Sequence, residues 1–266
     1  MKRLNFNIFL LFFLFAVNIS FSADKKIEIG IDEQLGKTLP ADVFFYDESG
    51  SKVLLKDLIT KPTVLAFVYY KCPGICSPLL SELANVVGKV DLKPGESYNI
   101  ITISMDEFET PEIAKNKKQN YLKIIKGSFP ESSWKFLTGD SVNIKKTTDA
   151  AGFYFKKEGK QFIHTGSLIF ISDKEKITRY LFPGYSDRRG FGILPFDFKM
   201  AVLETSKGKT EPTISRVLQY CFSYDPKGRT YMLNITRIFG AGILLLAVIF
   251  VGYLKLKPKK ENLKKG

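Results

Sequence analysis

One segment, residues 62–105, constrains the fold of this 266-residue chain more than any other. It opens with Pro62 and the run TVLAFVYY, which is short, apolar and rich in β-branched and aromatic residues, as is typical of a buried strand. Apolar residues then recur at helical spacing over residues 79–90, and a second buried strand, YNIITISM, follows. Strand, helix and strand in this order predict a parallel βαβ unit.

The later segments predict the rest of a mixed α/β sheet. The dipeptide Thr110-Pro111 is expected to begin a helix that runs toward Lys126. The other predicted elements are a strand at WKFLTG, a helix at 142–151, strands at GFYFKK, SLIFIS and ITRYLFPG, and a helix at 195–205. Together these elements predict a thioredoxin-like α/β fold with insertions over residues 23–205.

The two ends of the chain have the patterns of export and anchoring segments. Residues 1–22 combine a charged start, an apolar core and small residues near the end, which predicts a cleaved signal peptide. Residues 237–254 are almost free of charge and, at about 1.5 Å per residue, are long enough to cross most of a bilayer core, so we expect a transmembrane helix. Between the main domain and this helix, residues 206–236 are expected to form a polar linker and a juxtamembrane segment with a short helix and a turn.

The distribution of charge predicts the orientation of the anchor. Residues 255–266 are rich in lysine, which marks the cytoplasmic side of a membrane and puts the main domain on the extracytoplasmic side. About half of the net charge of +13 lies in this tail and in the signal segment. Because no basic cluster interleaved with aromatic residues occurs elsewhere, we expect no nucleic-acid partner.

Two cysteines and a histidine form the candidate site. Cys72 and Cys76 lie in the turn CPGIC, between the first buried strand and the helix, where the helix N-terminus favours thiolate over thiol. His164, the only histidine of the chain, lies in QFIHTGSLIFIS just before another apolar run. If the fold pairs these strands, the imidazole comes close to both thiols, and two sulfurs with one nitrogen suit a soft metal.

The residues leave several interpretations of this site open. Cu(I) accepts few, soft ligands and ranks above zinc, which normally takes a fourth ligand. A water molecule or Asp106 is the candidate for that fourth position, although Asp106 is equally well explained as a cap of its own turn. In an exported domain, Cys72 and Cys76 are also candidates for a disulfide. Cys221 is the odd cysteine, and we expect a buried thiol rather than a third sulfur ligand.

Two kinds of thiol chemistry compete with metal binding. A thiol–disulfide oxidoreductase or redox sensor would use Cys72 and Cys76 directly, and a peroxide-reducing enzyme would use one reactive cysteine at the helix start. The loop His164-Thr165-Gly166 argues against a general oxidoreductase, because it has no proline where thioredoxin-like enzymes have a cis-proline. We therefore expect a metal-binding protein more than an enzyme, with thiol–disulfide reductase activity left open.

With these residues, the chain resembles the SCO/SenC family of membrane-anchored copper chaperones. Members have a thioredoxin-like fold, and the resemblance matches their CxxxC pair to Cys72 and Cys76, their distant histidine to His164 and their aspartate after the second strand to Asp106. The cleaved signal and C-terminal anchor resemble those of a bacterial subgroup, which implies a single-pass protein of the bacterial inner membrane with its main domain on the periplasmic or extracytoplasmic side. The chain departs from many relatives at Ile163, where they have aspartate.

The resemblance implies a function, a cofactor and partners. It implies Cu(I) bound by the two cysteines and the histidine, with Asp106 as a possible neighbour of the site. It also implies that the protein delivers copper to the CuA centre of cytochrome c oxidase, or reduces the cysteines of that centre before the metal is inserted. The implied partners are the oxidase subunit that carries CuA, a copper donor protein and the membrane.

Overall fold

The structure is a computed structural model. It describes residues 28–159, 161–186, 190–210, 222–225 and 230–233, and residues 240, 242–243, 246–247, 249–250 and 252–253. The helices are α1 (Leu55–Leu58), α2 (Cys76–Val87), α3 (Pro111–Leu122), α4 (Ser141–Ala150) and α5 (Pro195–Ser206). The strands are β1 (Gly30–Ile31), β2 (Phe44–Tyr46), β3 (Lys52–Leu54), β4 (Thr63–Val68), β5 (Asn99–Ser104), β6 (Trp134–Leu137), β7 (Phe153–Tyr154), β8 (Lys156–Glu158), β9 (Gln161–Ile163), β10 (Leu168–Ile171), β11 (Ile177–Leu181), β12 (Gly184–Ser186), β13 (Gly190–Gly192), β14 (Phe222–Asp225) and β15 (Thr230–Leu233).

A five-stranded mixed sheet forms the centre of the fold, in the order β11-β10-β4-β5-β6. Strands β4, β5 and β6 are parallel, while β10 pairs antiparallel with both β4 and β11. Every residue of β4 is buried, which explains why this strand is continuously apolar rather than alternating. The mixed α/β architecture is consistent with the thioredoxin-like fold that the sequence predicts.

The strand directions determine where the candidate site forms. Parallel β4 and β5 both end at the same edge of the sheet. Strand β10 runs the opposite way, and its register of Ile169 with Leu65 and Ile171 with Thr63 puts the start of β10 at that same edge. The segment after β4, which contains the cysteines, and the segment before β10, which contains His164, therefore meet although they are far apart in sequence.

Helix α5 covers part of this sheet, and α2 packs against α3 and α5. The buried face of α2 includes Leu79, Leu83 and Val87, in agreement with the predicted helical spacing. Helix α5 packs on β10 and β11, and the ring of its Phe198 lies 5.7 Å from the ring of Phe170. The predicted helix at 195–205 is therefore confirmed as part of the main domain.

Two local predictions are wrong. Helix α3 ends at Leu122 instead of continuing to Lys126. The segment GFYFKK is split between β7, which pairs with β1, and β8, which pairs with β9, so it lies outside the central sheet. Within the predicted linker, β14 and β15 pair as an antiparallel hairpin. Residues 211–221, at the start of this segment, lie outside the described residues, so the short helix expected there stays a prediction.

The predicted end segments fall largely outside the described residues. The signal peptide at 1–22 and the tail at 255–266 lie entirely outside them, as does Cys221. Of the predicted transmembrane helix at 237–254, only scattered helical residues are described. Within the described part of the chain, no helix has the length and apolar character needed to cross a bilayer.

Candidate metal centre

Cys72, Cys76 and His164 form one buried cluster of potential metal ligands. One donor atom from each residue can be chosen so that all three atoms lie within 4.8 Å of one another. The Sγ atom of Cys76 is 3.2 Å from the Nε2 atom of His164. Both cysteines are free thiols rather than a disulfide. The expected approach of the imidazole to the two thiols is confirmed.

The turn after β4 presents the two sulfurs at the start of α2. The Cys72 N–H donates to the carbonyl oxygen of Tyr69 at 3.1 Å, which turns the chain away from the strand. The Gly74 N–H donates to the Sγ atom of Cys72 at 3.3 Å. Cys76 is the first residue of α2, so its side chain lies at the positive end of the helix dipole.

The orientation of His164 leaves one ring nitrogen available as a ligand. Its Nδ1 atom lies 2.9 Å from the carbonyl oxygen of Thr165. Because a carbonyl oxygen only accepts, Nδ1 carries the proton, and Nε2 presents its lone pair to the cysteines. The ring centroids of Tyr69 and Phe153 lie 6.0 and 6.1 Å from that of His164, so aromatic packing holds the imidazole in place.

The two thiols have opposite pKa shifts. The hydrogen bond from the Cys76 side chain, together with the backbone N–H groups of Cys76 and Gly74, outweighs burial and lowers the pKa of Cys72 to about 3. Burial raises the pKa of Cys76, and its hydrogen bond to Cys72 raises it further. These opposite shifts favour the thiolate at Cys72 and the thiol at Cys76, as in other thiol pairs at a helix N-terminus.

A pocket of about 230 Å³ opens onto this cluster. Cys72 and His164 line it together with Tyr69, Ile75 and Phe162, whereas Cys76 is not among its lining residues. Cys72 is 8% exposed and Cys76 is 2% exposed. An incoming molecule therefore reaches Cys72 and His164 before it reaches Cys76.

Asp106 does not join the cluster. One of its carboxylate oxygens accepts from the Phe108 N–H at 3.2 Å, and its own N–H donates to the hydroxyl of Ser104 at 3.1 Å. Both contacts lie within its own turn, which is the capping role left open by the sequence. Among the described residues, the group of potential ligands contains no carboxylate that would complete a four-ligand zinc site.

An acidic residue that the sequence analysis did not select, Glu109, contacts the cysteine loop instead. Its carboxylate accepts from the backbone N–H groups of Tyr70 and Lys71, at 2.6 and 2.7 Å. The available indication was topological: Glu109 lies in the loop after β5, and parallel β4 and β5 bring their following loops to one edge of the sheet. Asp106 and Glu109 share that loop, and only the structure distinguishes them.

The family model described as SCO1/SenC matches residues 32–191, which are more than half of the chain and include the whole cluster. The chain belongs to the SCO1/SenC family. The SCO1 protein homolog of Bacillus subtilis strain 168 is 26% identical to this SCO1/SenC member over 159 residues, which are 58% of this chain and 75% of that protein.

Solved structures of other proteins have a similar fold. A putative electron transfer protein from Aquifex aeolicus VF5 is 27% identical, with a TM-score of 0.56 over 66% of this SCO1/SenC chain and 96% of its own. BsSco is described as a member of the Sco family of cytochrome c oxidase assembly proteins with a disulfide switch. It is 23% identical, with a TM-score of 0.51 over 67% of this chain and 98% of its own. The likeness to BsSco concerns the fold.

Proposed function

We propose that this protein binds one Cu(I) ion through Cys72, Cys76 and His164 and delivers it during assembly of cytochrome c oxidase. The observation that carries the proposal is the convergence of two sulfurs and one imidazole nitrogen in a buried cluster. Soft thiolates and imidazole suit copper, and a three-ligand set without carboxylate suits its monovalent form. When the ion binds, Cys76 gives up its proton, because only the thiolate is a ligand.

We propose the CuA centre of the oxidase as the destination of the copper. Membership of the SCO1/SenC family supports this step, since BsSco is described as belonging to a family of cytochrome c oxidase assembly proteins. The pocket over Cys72 and His164 gives an acceptor protein access to two of the three ligands. Transfer would then proceed by exchange of ligands, with Cys76 as the last to release the ion. A separate copper donor protein is part of the same proposal.

We further propose that the protein is held in a bacterial inner membrane with the cysteine-containing domain on the periplasmic side. The support is in the sequence: an apolar stretch at 237–254, a lysine-rich tail behind it and a signal-like start. Fractionation of cells, followed by protease treatment of intact spheroplasts, tests this arrangement. Protection of the main domain from added protease would overturn it.

A Cu(I) competition experiment tests the ligand set. The reduced full chain, purified in detergent, is titrated against a chromophoric Cu(I) chelator beside Cys72→Ser, Cys76→Ser and His164→Ala. We expect one ion per parent chain, and a loss of affinity in each variant that exceeds the roughly hundredfold typical of changes around a ligand set. Cys221→Ser is the matched control and should bind as the parent does. Parental affinity in His164→Ala would contradict the three-ligand site.

One observation also favours thiol–disulfide exchange as a second function. Cys72 is a thiolate that faces a pocket, and Cys76 lies close behind it. The Cys72 thiolate would attack a substrate disulfide and release one substrate thiolate. Cys76 would then attack the mixed disulfide, release the second thiol and form the Cys72–Cys76 disulfide, so that two electrons pass to the substrate. Reduction of a model disulfide by the metal-free protein, abolished in Cys72→Ser, is the expected result if this function operates.

A further inference from the structure

The carboxylate of Glu109 lies against the loop between β4 and α2. Its Oε2 atom accepts from the Tyr70 N–H at 2.6 Å, and its Oε1 atom accepts from the Lys71 N–H at 2.7 Å. Oε2 also accepts from the Ser104 hydroxyl at 2.6 Å. The residue is 5% exposed. One buried side chain therefore satisfies the two backbone amides that directly precede Cys72.

These two amides need an acceptor that the sheet does not provide. Strand β4 ends at Val68, whose carbonyl oxygen accepts from the Met105 N–H, and α2 begins only at Cys76. Tyr70 is buried, and a buried N–H without a partner costs about 1–3 kcal/mol, so the carboxylate stabilises this path of the loop. Because the two oxygens of one carboxylate bind consecutive amides, they fix the direction in which the chain enters Cys72.

Glu109 is itself held rigidly by the neighbouring element. Its own N–H donates to the carbonyl oxygen of Asp106 at 3.1 Å. The next residue, Thr110, is the N-cap of α3, and Pro111 occupies its first turn. Ser104, the third donor to the carboxylate, is the last residue of β5. The carboxylate thus ties the cysteine loop to the end of β5 and the start of α3.

The contacts of Glu109 indicate a role different from ion pairing. Among the described residues, no salt bridge involves it, and all three hydrogen bonds that its carboxylate accepts are donated by uncharged groups. Burial raises the pKa of Glu109 while these three donors oppose the rise. The carboxylate is therefore held by the cysteine loop and by Ser104 rather than by a cationic side chain.

We propose that Glu109 is the positioning residue of the copper site, because it holds the Tyr70–Lys71 peptide so that the Cys72 sulfur faces Cys76 and His164. This inference rests on the copper-binding function proposed above. Glu109 is not a member of the ligand cluster, and its carboxylate bonds to the loop amides and to Ser104, so its positioning effect acts through the backbone of the loop.

The Glu109→Gln variant tests this role in the full chain. Glutamine is nearly the same size as glutamate, but its side chain has one acceptor oxygen instead of two. Its NH₂ group would face one of the two backbone N–H groups, and two donors cannot form a hydrogen bond with each other. Glu107→Gln is the matched control, because Glu107 lies in the same loop, carries the same charge and is exposed. We expect Glu109→Gln to bind Cu(I) about tenfold to a hundredfold more weakly, as changes around a ligand set do. Glu107→Gln should stay within about twofold of the parent.

A spectroscopic measurement separates positioning from a general loss of stability. The Cu(II) complex of the parent should have a thiolate-to-copper charge-transfer band, and Glu109→Gln should shift or weaken this band at temperatures where circular dichroism shows it fully folded. If Glu109→Gln does not fold, Glu109→Asp takes its place, since its carboxylate is one methylene shorter and reaches one amide at a time. A loss of Cu(I) affinity in folded Glu109→Asp, relative to the parent, supports the inference. Parental Cu(I) affinity in folded Glu109→Asp overturns it.

The outcomes distinguish this inference from the function on which it rests. A parent that binds no copper overturns the proposed function and this inference with it. A parent that binds copper, beside a folded Glu109→Gln with parental affinity and an unchanged charge-transfer band, overturns the role of Glu109 alone. Equal losses in Glu109→Gln and Glu107→Gln would also overturn it, because they would show an effect of charge rather than of loop geometry.

Discussion

The Nε2 atom of His164 lies 3.2 Å from the Sγ atom of Cys76, although 88 residues separate them in the chain. The contact exists because β10 runs antiparallel to β4, so the segment before one strand meets the segment after the other. The two cysteines differ in their surroundings and therefore in their expected reactivity. Cys76 lies behind, against the imidazole, while Cys72 faces the pocket as a thiolate.

The first prediction concerns the unequal reactivity of the two cysteines. In the metal-free, reduced protein at pH 7, iodoacetamide should modify Cys72 at least about tenfold faster than Cys76, because the thiolate is the nucleophile and because Cys72 lines the pocket. Peptide mass spectrometry after short exposures measures both rates. A Cys221→Ser background removes the third thiol, and equal rates at Cys72 and Cys76 would contradict the assignment.

The sequence identified the cluster because its residue types are rare in this chain. Three cysteines and one histidine leave few combinations, and the βαβ pattern and the strand after His164 bring three of these four residues toward one edge. The runs of β4 and β5, rich in apolar and β-branched residues, predicted buried central strands, and in the structure both strands are buried on both faces.

The sequence did not identify Glu109, because acidic residues are common and their contacts depend on loop geometry. The chain has 27 aspartates and glutamates, and Asp106 was the nearer candidate to the end of β5. Asp106 binds its own turn, whereas Glu109, three residues later, extends to the cysteine loop. The division of GFYFKK between two small sheets was also missed, since strand pattern predicts extension but not the pairing partner.

The second prediction concerns the cap of α4. The hydrogen bond from the Asn143 backbone N–H, 2.9 Å from Oδ1, lowers the pKa of Asp140 below its usual 3.8. A lowered pKa means that the native state favours the ionised form, so this stabilisation is present above about pH 3.8 and is lost as the pH falls through the native pKa. Asp140→Ala should therefore lower the free energy of unfolding by about 1 kcal/mol at pH 7.

Urea unfolding between pH 7 and pH 3 measures this effect. The difference between parent and Asp140→Ala should shrink as the pH falls, because the protonated carboxyl is a poorer acceptor for the N–H group. Asp140→Asn is the control, since asparagine caps helices as well as aspartate does but has no charge to titrate. A difference between parent and Asp140→Ala that stays constant over this range would contradict the electrostatic part of the argument.

The third prediction concerns the only tryptophan of the chain. The Nε1–H group of Trp134 donates to the Oγ1 atom of Thr102 at 2.9 Å, and both residues are fully buried. Thr102→Val keeps the shape of the side chain and removes the acceptor, so the indole N–H is left unpaired. The free energy of unfolding should fall by about 1–3 kcal/mol.

Trp134 fluorescence during urea unfolding provides the measurement at the affected residue itself. Thr60→Val is the matched control, because Thr60 is exposed and the substitution should change the free energy of unfolding by less than about 0.5 kcal/mol. If Thr102→Val were as stable as the parent, the Trp134–Thr102 hydrogen bond would contribute nothing to the core.

The last prediction compares two glycines with nearly the same backbone angle. Gly152 has φ of +60° and Gly159 has φ of +61°, so alanine is strained at either position. At Gly152 an added Cβ atom would lie 1.8 Å from the carbonyl oxygen of Asp32, which is backbone and cannot rotate away. At Gly159 the added atom meets nothing within 4 Å.

Gly159→Ala should therefore lower the free energy of unfolding by about 1 kcal/mol, the cost of the left-handed conformation alone. Gly152→Ala should lower it by about 3 kcal/mol or more, because the clash also separates Asp32 from Gly152, whose backbone hydrogen bond of 2.8 Å joins the N-terminal segment to β7. Thermal and urea unfolding of both variants measure the difference. Equal losses would mean that the N-terminal segment moves aside freely, and that the pairing of β1 with β7 adds little to the stability of the domain.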